Sequence, residues 1–398
     1  MPWRTTNIMD LRMEFVRKAL QPGVNFRALC RDTGISPKTG YKWQERFMTE
    51  GRAGLRDASR RPTSTPTQLP EGVVCELVRL KEAHRAWGPR KIRQLYIRLH
   101  GSAPCESSCK RILGKAGLIE PRRPRARSAV GRLTCTVAVE GPNDLWTVDF
   151  KGWWRTTNGQ RCEPLTVRDA YSRFILAARA MNTTASTAVR AEFERLFAEY
   201  GLPRVIRSDN GVPFAAANGL LGLSRLSAWW MVLGINLDRI RPGHPQENGD
   251  HERMHRDIRS EVEGVIGGGL AEQQQALDVW RTAFNCERPH EAIAMRTPAE
   301  LYKLSTKRYE GTPTEIIYGP GMIVRRVRCS GTIKLNGREM FISESLIGFD
   351  LGLRPIDNDR FELWFAHVQL GTIDLTTETF VATSGRSERL SPCILKTA

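Results

Sequence analysis

The sequence predicts a multidomain chain: all-α helix-turn-helix units, then an α/β core with a mixed sheet, then a small all-β domain. Three observations predict this order. Positive charge is concentrated at the start: the 398 residues hold 60 Lys+Arg and 43 Asp+Glu, a net of +17, and residues 1–141 alone carry 28 basic against 12 acidic side chains. Through that basic segment apolar residues recur at helical spacing, and from about Asn143 the pattern changes to short strand-like runs alternating with helices. After Tyr318-Gly319-Pro320-Gly321 only short alternating segments remain, parted by turn residues.

Composition narrows the class. The length suits two to four domains, and 40% hydrophobic residues suffice for cores. No run of 18 apolar residues occurs, and MPWRTTNIMDLRMEF lacks the apolar stretch of a secretory signal, so no membrane partner is expected. Nine irregularly spaced cysteines argue for reduced thiols in a cytoplasmic setting. His84, His100, Cys105 and Cys109 lie close in sequence, but their spacing suits buried thiols better than zinc. A basic excess confined to one third of a chain is the footprint of a phosphate-backbone binder; a surface kept basic for solubility is the plainer alternative.

The elements are justified in chain order. Ile8, Leu11, Phe15, Val16 and Leu20 share a helix face that stops at Gln21-Pro22-Gly23. A short helix, Phe26 to Arg31, leads through Thr33-Gly34-Ile35 to Ser36, an N-cap with Pro37 at the first helical position. The next helix, Pro37 to about Met48, carries Lys38, Thr39, Lys42 and Arg46 as candidate DNA contacts, although Gly40 within it lowers helix propensity by about 1 kcal/mol. A three-helix bundle without a DNA role is the alternative. The helix-turn-helix domain spans 1–55 and a Pro/Ser/Thr/Arg-rich linker spans 56–70. A second unit, 71–120, reads as helices Glu71–Arg85, Pro89–Leu99 and Glu106–Lys115, the last offering Lys110 and Arg111. The basic connector, 121–142, adds Arg122, Arg123, Arg125 and Arg127 on a Pro-rich, extended stretch.

In the core, 143–305, strands are expected at Leu145–Phe150, Glu163–Arg168, Arg173–Ala178, Arg204–Ser208 and Asn236–Ile240. Helices are expected at Thr184–Tyr200, Leu223–Leu233 and around Glu252. Asp149 falls at the end of the first strand, and Asp209 just past the fourth, where open α/β sheets place their ligands. Glu252 falls inside a helix. Three carboxylates brought together by folding make a hard-oxygen site for Mg²⁺ or Mn²⁺, and two such ions can clamp both oxygens of a phosphoryl transfer. Glu252 is preferred to Glu247, which lies in a turn-forming stretch; Arg256 and Arg259 come after Glu252 on the same helix face and suit adjacent phosphates. Asp169, in TVRDAYSRF, reads as a turn-bonding structural residue, and Asn285, Arg288 and His290 as residues that close the core.

The ordered strings WTVDF, SDNGVPF, HPQENGDHERMHR and FNCERPHEAIAMRTPAELY resemble the integrase-type catalytic core shared by retroviral integrases and many bacterial insertion-sequence transposases. GISPKTGYKWQERF and WGPRKIRQL resemble the helix-turn-helix region of one group of those transposases. The resemblance, over about residues 143–302, implies a ribonuclease H-like fold, with Asp149, Asp209 and Glu252 matching the metal-binding triad and two Mg²⁺ (or Mn²⁺) ions per site. It implies a transposase that cuts and joins the ends of an insertion sequence, acting on double-stranded transposon-end and target DNA. The implied working form is a homo-oligomer assembled on DNA, in a bacterial cytoplasm and at the nucleoid. It also implies an SH3-like barrel for the β domain, 320–380; the tail, 384–398, reads as disordered. Two rivals stand beside it: a catalytically inactive DNA-binding regulator, and a nuclease of the same fold that cuts without joining.

Overall fold

The computed structural model describes residues 7–57, 59, 69–119, 137–217, 219–240, 249–263, 267–313 and 315–383. It divides into two compact units, Met1–Pro70 and Glu71–Ala398.

The first unit holds α1 (Ile8–Ala19), α2 (Phe26–Asp32) and α3 (Pro37–Glu50), then a 3-10 turn, Gly51–Leu55. Each α-helix starts on a side-chain cap: Asn7, Asn25 and Ser36 accept from the backbone N–H of Met9, Ala28 and Thr39. A Cβ on Gly40 would stand 2.8 Å from Cys30 Sγ and 2.9 Å from the Phe15 ring. The residue that weakens α3 locally is therefore what lets it lie against its neighbours, and packing outweighs propensity.

The second unit begins with α4 (Glu71–Ala83), α5 (Pro89–His100) and α6 (Glu106–Lys115), closed round buried Leu77, Ile92 and Leu113. Ion pairs fasten these helices to the α/β core. Arg98 reaches Glu300 at 2.8 Å, and Arg90 lies 3.7 Å from Glu291. Lys91 is pulled down to about 8 by burial and by Arg288, against the opposing pull of Asp257, Glu291 and Glu261. The four residues His84, His100, Cys105 and Cys109 are engaged separately: His84 stacks on Trp87, His100 lies 3.7 Å from Glu76, Cys109 is buried, and Cys105 bonds Ser107.

The core contains β1 (Leu145–Phe150), β2 (Trp154–Arg155), β3 (Arg161–Cys162), β4 (Leu165–Asp169), β5 (Ile175–Arg179), α7 (Ser186–Tyr200), β6 (Val205–Ser208), α8 (Arg225–Val232), β7 (Asn236–Arg239), α9 (Gly249–Glu261), α10 (Leu270–Cys286) and α11 (Pro298–Leu301). Five strands form one mixed sheet in the order β5-β4-β1-β6-β7, with β1 antiparallel to β4 and parallel to β6. Strand alternation sorts the two faces. Trp146, Val148, Leu165, Val167 and Ile206 pack with Phe193, Phe197, Trp229 and Trp230 of α7 and α8. On the other face Met254, Ile258, Leu277 and Trp280 of α9 and α10 cover Ile175 and Ala178. Thr147, Asp149 and Thr166 alternate with the first set and so face α9.

The core-closing residues behave as the sequence suggests. Asp169 is buried and accepts from the Asn143 and Ser172 backbone N–H groups (2.8 and 2.7 Å) and from Ser172 Oγ (2.6 Å). Asn285 pairs with both backbone groups of Ile175 (2.9 and 3.0 Å), giving edge strand β5 a side chain in place of another strand.

The last region is all-β: β8 (Ile323–Arg326), β9 (Thr332–Leu335), β10 (Arg338–Phe341), β11 (Asp350–Pro355), β12 (Arg360–Phe365), β13 (Val368–Asp374) and β14 (Thr379–Ala382). Strands β14-β13-β12-β11-β8 form one sheet and β9–β10 a separate hairpin; no ladder closes them into a barrel among the described residues. Leu351, Leu353, Leu363 and Phe365 share a core with Ala228, Met231 and Val232 of α8, so this region and the α/β core are packed together.

Candidate active site

Asp149 is the penultimate residue of β1, and Asp209 directly succeeds β6. The parallel register pairs Leu145 with Val205 and Thr147 with Arg207. Two more residues along both strands reach Asp149 and Asp209, on strands about 4.8 Å apart. Both leave the sheet at the same end. Asp209 is set by a tight turn: its Oδ1 accepts from Gly211 N–H at 3.1 Å, and a Cβ on Gly211 would come 2.9 Å from Oδ2. Asn210 pins the same turn by donating to the Ile240 carbonyl at 2.7 Å.

Helix α9 supplies the third element. Met254, Ile258 and Val262 are buried, with His251 on the same face, while Glu252, Arg256 and Arg259 are exposed. That division is the expected result of helical periodicity. From the far side, Arg288 holds the helix by pairing with Asp257 at 2.6 Å and lying 3.6 Å from Glu261.

Two histidines of α9 complete the surroundings of Asp149; the sequence favours DNA over metal for His251, in a loop before the helix, and assigns His255 no role. The ligand atoms of Asp149, His251 and His255 lie within 4.8 Å of one another, whereas the three carboxylates form no such group among the described residues. Thr166 joins the members. Its hydroxyl donates to the Asp149 carbonyl at 2.9 Å and lies 2.9 Å from His255 Nε2 and 3.3 Å from His251 Nδ1. His251 Nε2 is 2.6 Å from Thr147 Oγ1. Burial, then the charge of Lys151, lowers His255 to about 4, so its imidazole is neutral at pH 7. Lys151 itself pairs with Glu263 near the end of α9. The signal for this pair is present in HERMH: histidines four apart share a helix face, and they straddle the very glutamate expected to bind metal. The threonines come from other strands and give no such signal.

Of the expected DNA contacts, Lys38, Lys42, Lys110 and Arg111 are exposed. Thr39 belongs to the cap of α3, its hydroxyl 2.8 Å from Ser36 Oγ. Arg46 and Lys42 lie over the Trp43 ring, 5.6 and 4.8 Å from its centroid, and Arg12 lies closer at 3.9 Å. Arg122, Arg123, Arg125 and Arg127 fall outside the described residues, as do Glu247 and the tail from 384.

Comparison with known proteins finds family matches along much of the chain. Residues 139–245 and 233–298 match models of the integrase core domain. Residues 11–63 match a helix-turn-helix domain, residues 39–113 a homeodomain-like domain, and residues 322–380 the C-terminal domain of IS481 family transposases. The chain is 26% identical over 271 residues to the 39.2 kDa protein of insertion element IS476 from Xanthomonas euvesicatoria, covering 68% of this chain and 75% of that protein. It is 27% identical over 238 residues to the 31.7 kDa protein of insertion element IS407 from Burkholderia multivorans, covering 59% and 82%. Among solved structures, the catalytic core domain of BIV integrase aligns over 40% of this chain and 93% of its own, with 23% identity and a TM-score of 0.31. In order along the chain, then, the matches are a helix-turn-helix domain, an integrase core domain and an IS481 family transposase C-terminal domain, and the chain is similar over these regions to insertion-element proteins.

Proposed function

We propose that this chain binds the terminal inverted repeats of an insertion sequence, cleaves the element's ends and transfers them to target DNA. In this reading Asp149, Asp209 and Glu252 hold two Mg²⁺ or Mn²⁺ ions. The observation that carries it is the β1–β6 register, which supports two carboxylates at one end of neighbouring parallel strands. In this reading α9 supplies Glu252 as the third carboxylate, one residue after the His251 whose ring bonds Thr147 of β1. The donor set fits the ions: carboxylate oxygens are hard ligands, and the adjacent imidazoles of His251 and His255 add nitrogen donors that manganese accepts more readily than magnesium. When bound, the ions lower the pKa of an attacking water or 3′-hydroxyl and neutralise charge building on the phosphate.

The protein groups orient and hold. Thr166 fixes the strand carrying Asp149 through that residue's own carbonyl. Arg256 and Arg259, exposed on the outer face of α9, meet the phosphates flanking the reacting bond, and their forked guanidiniums set its register. No side chain need act as a covalent nucleophile. Lys38, Lys42, Arg46, Lys110 and Arg111, with the arginines of the 121–142 connector, bind the ends as double-stranded DNA, and a homo-oligomer assembled on DNA brings both ends together. Its place of action is the bacterial cytoplasm and nucleoid. No described helix is long and apolar enough to cross a membrane.

The test uses labelled duplexes carrying the DNA that flanks the coding region. Asp149→Asn, Asp209→Asn and Glu252→Gln each should lower cleavage and joining by about a hundredfold or more, because each removes a charged ligand from interactions worth several kcal/mol, and end binding should persist. Near-normal strand transfer by any one variant removes that residue from the site. Binding without cleavage by the unaltered chain would favour a regulator, and cleavage without joining a nuclease.

A further inference from the structure

Four residues beyond Asp149, the chain forms the small β2–β3 hairpin, and its two tryptophans turn opposite ways. Trp154 is half-buried: its Nε1 donates to Gln273 at 3.3 Å, and Lys151 lies 4.5 Å from its ring centroid. Trp153 is 54% exposed. The guanidiniums of Arg161 and Arg155 lie 5.2 and 5.9 Å from the Trp153 ring centroid. Neither arginine is loose. Arg161 donates twice to Glu163 (3.0 and 2.6 Å), and Arg155 donates to the Gly159 carbonyl at 3.0 Å. The hairpin is also tied to the start of α10: Thr157 Oγ1 donates to the Gly268 carbonyl at 3.0 Å, and Leu270 N–H donates to Gln160 Oε1 at 3.0 Å. The result is a half-exposed indole on a braced support, with two tethered guanidiniums lying over its ring.

We infer that Trp153 is a stacking platform for an unpaired nucleobase of the DNA strand entering the site. The inference rests on the proposed cleavage and joining of DNA. An aromatic face beside guanidiniums matches a base attached to a phosphodiester: the ring accepts the π-face, and the arginines meet the backbone. Distance fixes which base. Four residues of chain span at most about 14 Å, or roughly four nucleotides at 3.4 Å rise. The base on Trp153 therefore lies within about four nucleotides of the phosphate held at Asp149. Fraying of the duplex end supplies it, so the platform favours ends whose terminal pairs open.

The experiment compares two duplexes of the same terminal sequence, one fully paired and one ending in a short single-stranded extension that carries 2-aminopurine. Binding to the full-length chain is measured by anisotropy without divalent cation, and stacking by 2-aminopurine fluorescence. The unaltered chain should quench the probe and bind the extended duplex about five- to a hundredfold more tightly than the paired one. Trp153→Ala should lose both the quenching and the preference, and Trp153→Phe, which keeps a π-face, should retain most of each. Equal quenching and preference in Trp153→Ala, with the unaltered chain binding and joining normally, overturns the platform alone. If the unaltered chain binds neither duplex, the underlying DNA reading falls with it.

Discussion

Replacing Thr166 with Val tests whether the histidine pair works through Asp149. Valine matches threonine in shape and exchanges only the hydroxyl for a methyl. The position is fully buried, so no water can stand in for the missing group. The geometry has two consequences. The Asp149 carbonyl loses a donor at 2.9 Å, and His255 Nε2, at 2.9 Å, is left facing a methyl. A buried donor left without its partner costs about 1–3 kcal/mol. A matching apolar change on the other side removes that donor, so Thr166→Val with His255→Phe should destabilise less than the sum of the two single changes, by about 1–2 kcal/mol. Stability is read from urea unfolding of the core, monitored by tryptophan fluorescence. The functional readout is the Mn²⁺ concentration that half-saturates strand transfer, which should rise several-fold in Thr166→Val because the backbone of Asp149, the proposed ligand, is no longer anchored. A change within about 0.5 kcal/mol, additive with His255→Phe and with unchanged Mn²⁺ dependence, would refute the argument.

Three further outcomes are expected. Joint replacement of Lys38, Lys42 and Arg46 by Ala should lower the slope of log affinity against log salt by about 0.9 for each phosphate no longer neutralised, measured by anisotropy on terminal DNA. Arg256→Ala with Arg259→Ala should weaken joining strongly at unchanged Mn²⁺ half-saturation, and the paired Lys variant should recover only part, since a point charge lacks the bidentate fork; full joining in the double Ala variant would mean that this face points away from DNA. His290 is depressed to about 3 by burial and then by Lys91, Arg288 and Arg173, while a hydrogen bond to the Phe284 backbone opposes them. Because its folded value lies below its ordinary one, its contribution to stability is complete above about pH 6.5 and is lost as pH falls toward 3, the loss reaching about 2 kcal/mol at pH 5. His290→Gln should reduce the acid dependence of the core's unfolding midpoint by that amount, and an unchanged dependence would contradict the assignment.

Legibility in the sequence tracks the reach of local physics. The strand LWTVDF and the helix from Glu106 to Lys115 are legible because their apolar pattern, and for the helix the Gly117 that ends it, lie within a few residues. Strand β11 is not: Gly352 and Pro355 break its pattern, yet Gly352 is needed there, since a Cβ would meet the Tyr318 ring at 2.3 Å. Strands β2 and β3 are two residues each and exist because of their turn and their ties to α10, not through any run of their own. Lys91 and Arg98 show the same limit on a larger scale. They lie in the basic first third of the chain, but their carboxylate neighbours belong to the core, far along the sequence, and Arg98 pairs there with Glu300.

That fastening bears on how the site is held. Helix α9 carries Glu252 on its outer face and has two anchors on its others. On one side His251 and His255 bind it to Thr147 and Thr166 of the sheet; on another Arg288, with Lys91 of α5 packed nearby, holds Asp257 and Glu261. Sheet contact fixes the depth of the helix through apolar residues and threonine hydroxyls, which are indifferent to salt. The second anchor is ionic and includes a lysine from a helical unit that belongs, on the proposed reading, to the DNA-binding apparatus. A charge cluster with both signs is thus shared between that unit and α9, the helix bearing Glu252. Ligand geometry set by two anchors of different chemistry should accordingly respond to salt through one and to threonine substitution through the other, and the two effects should add, because the anchors share no side chain.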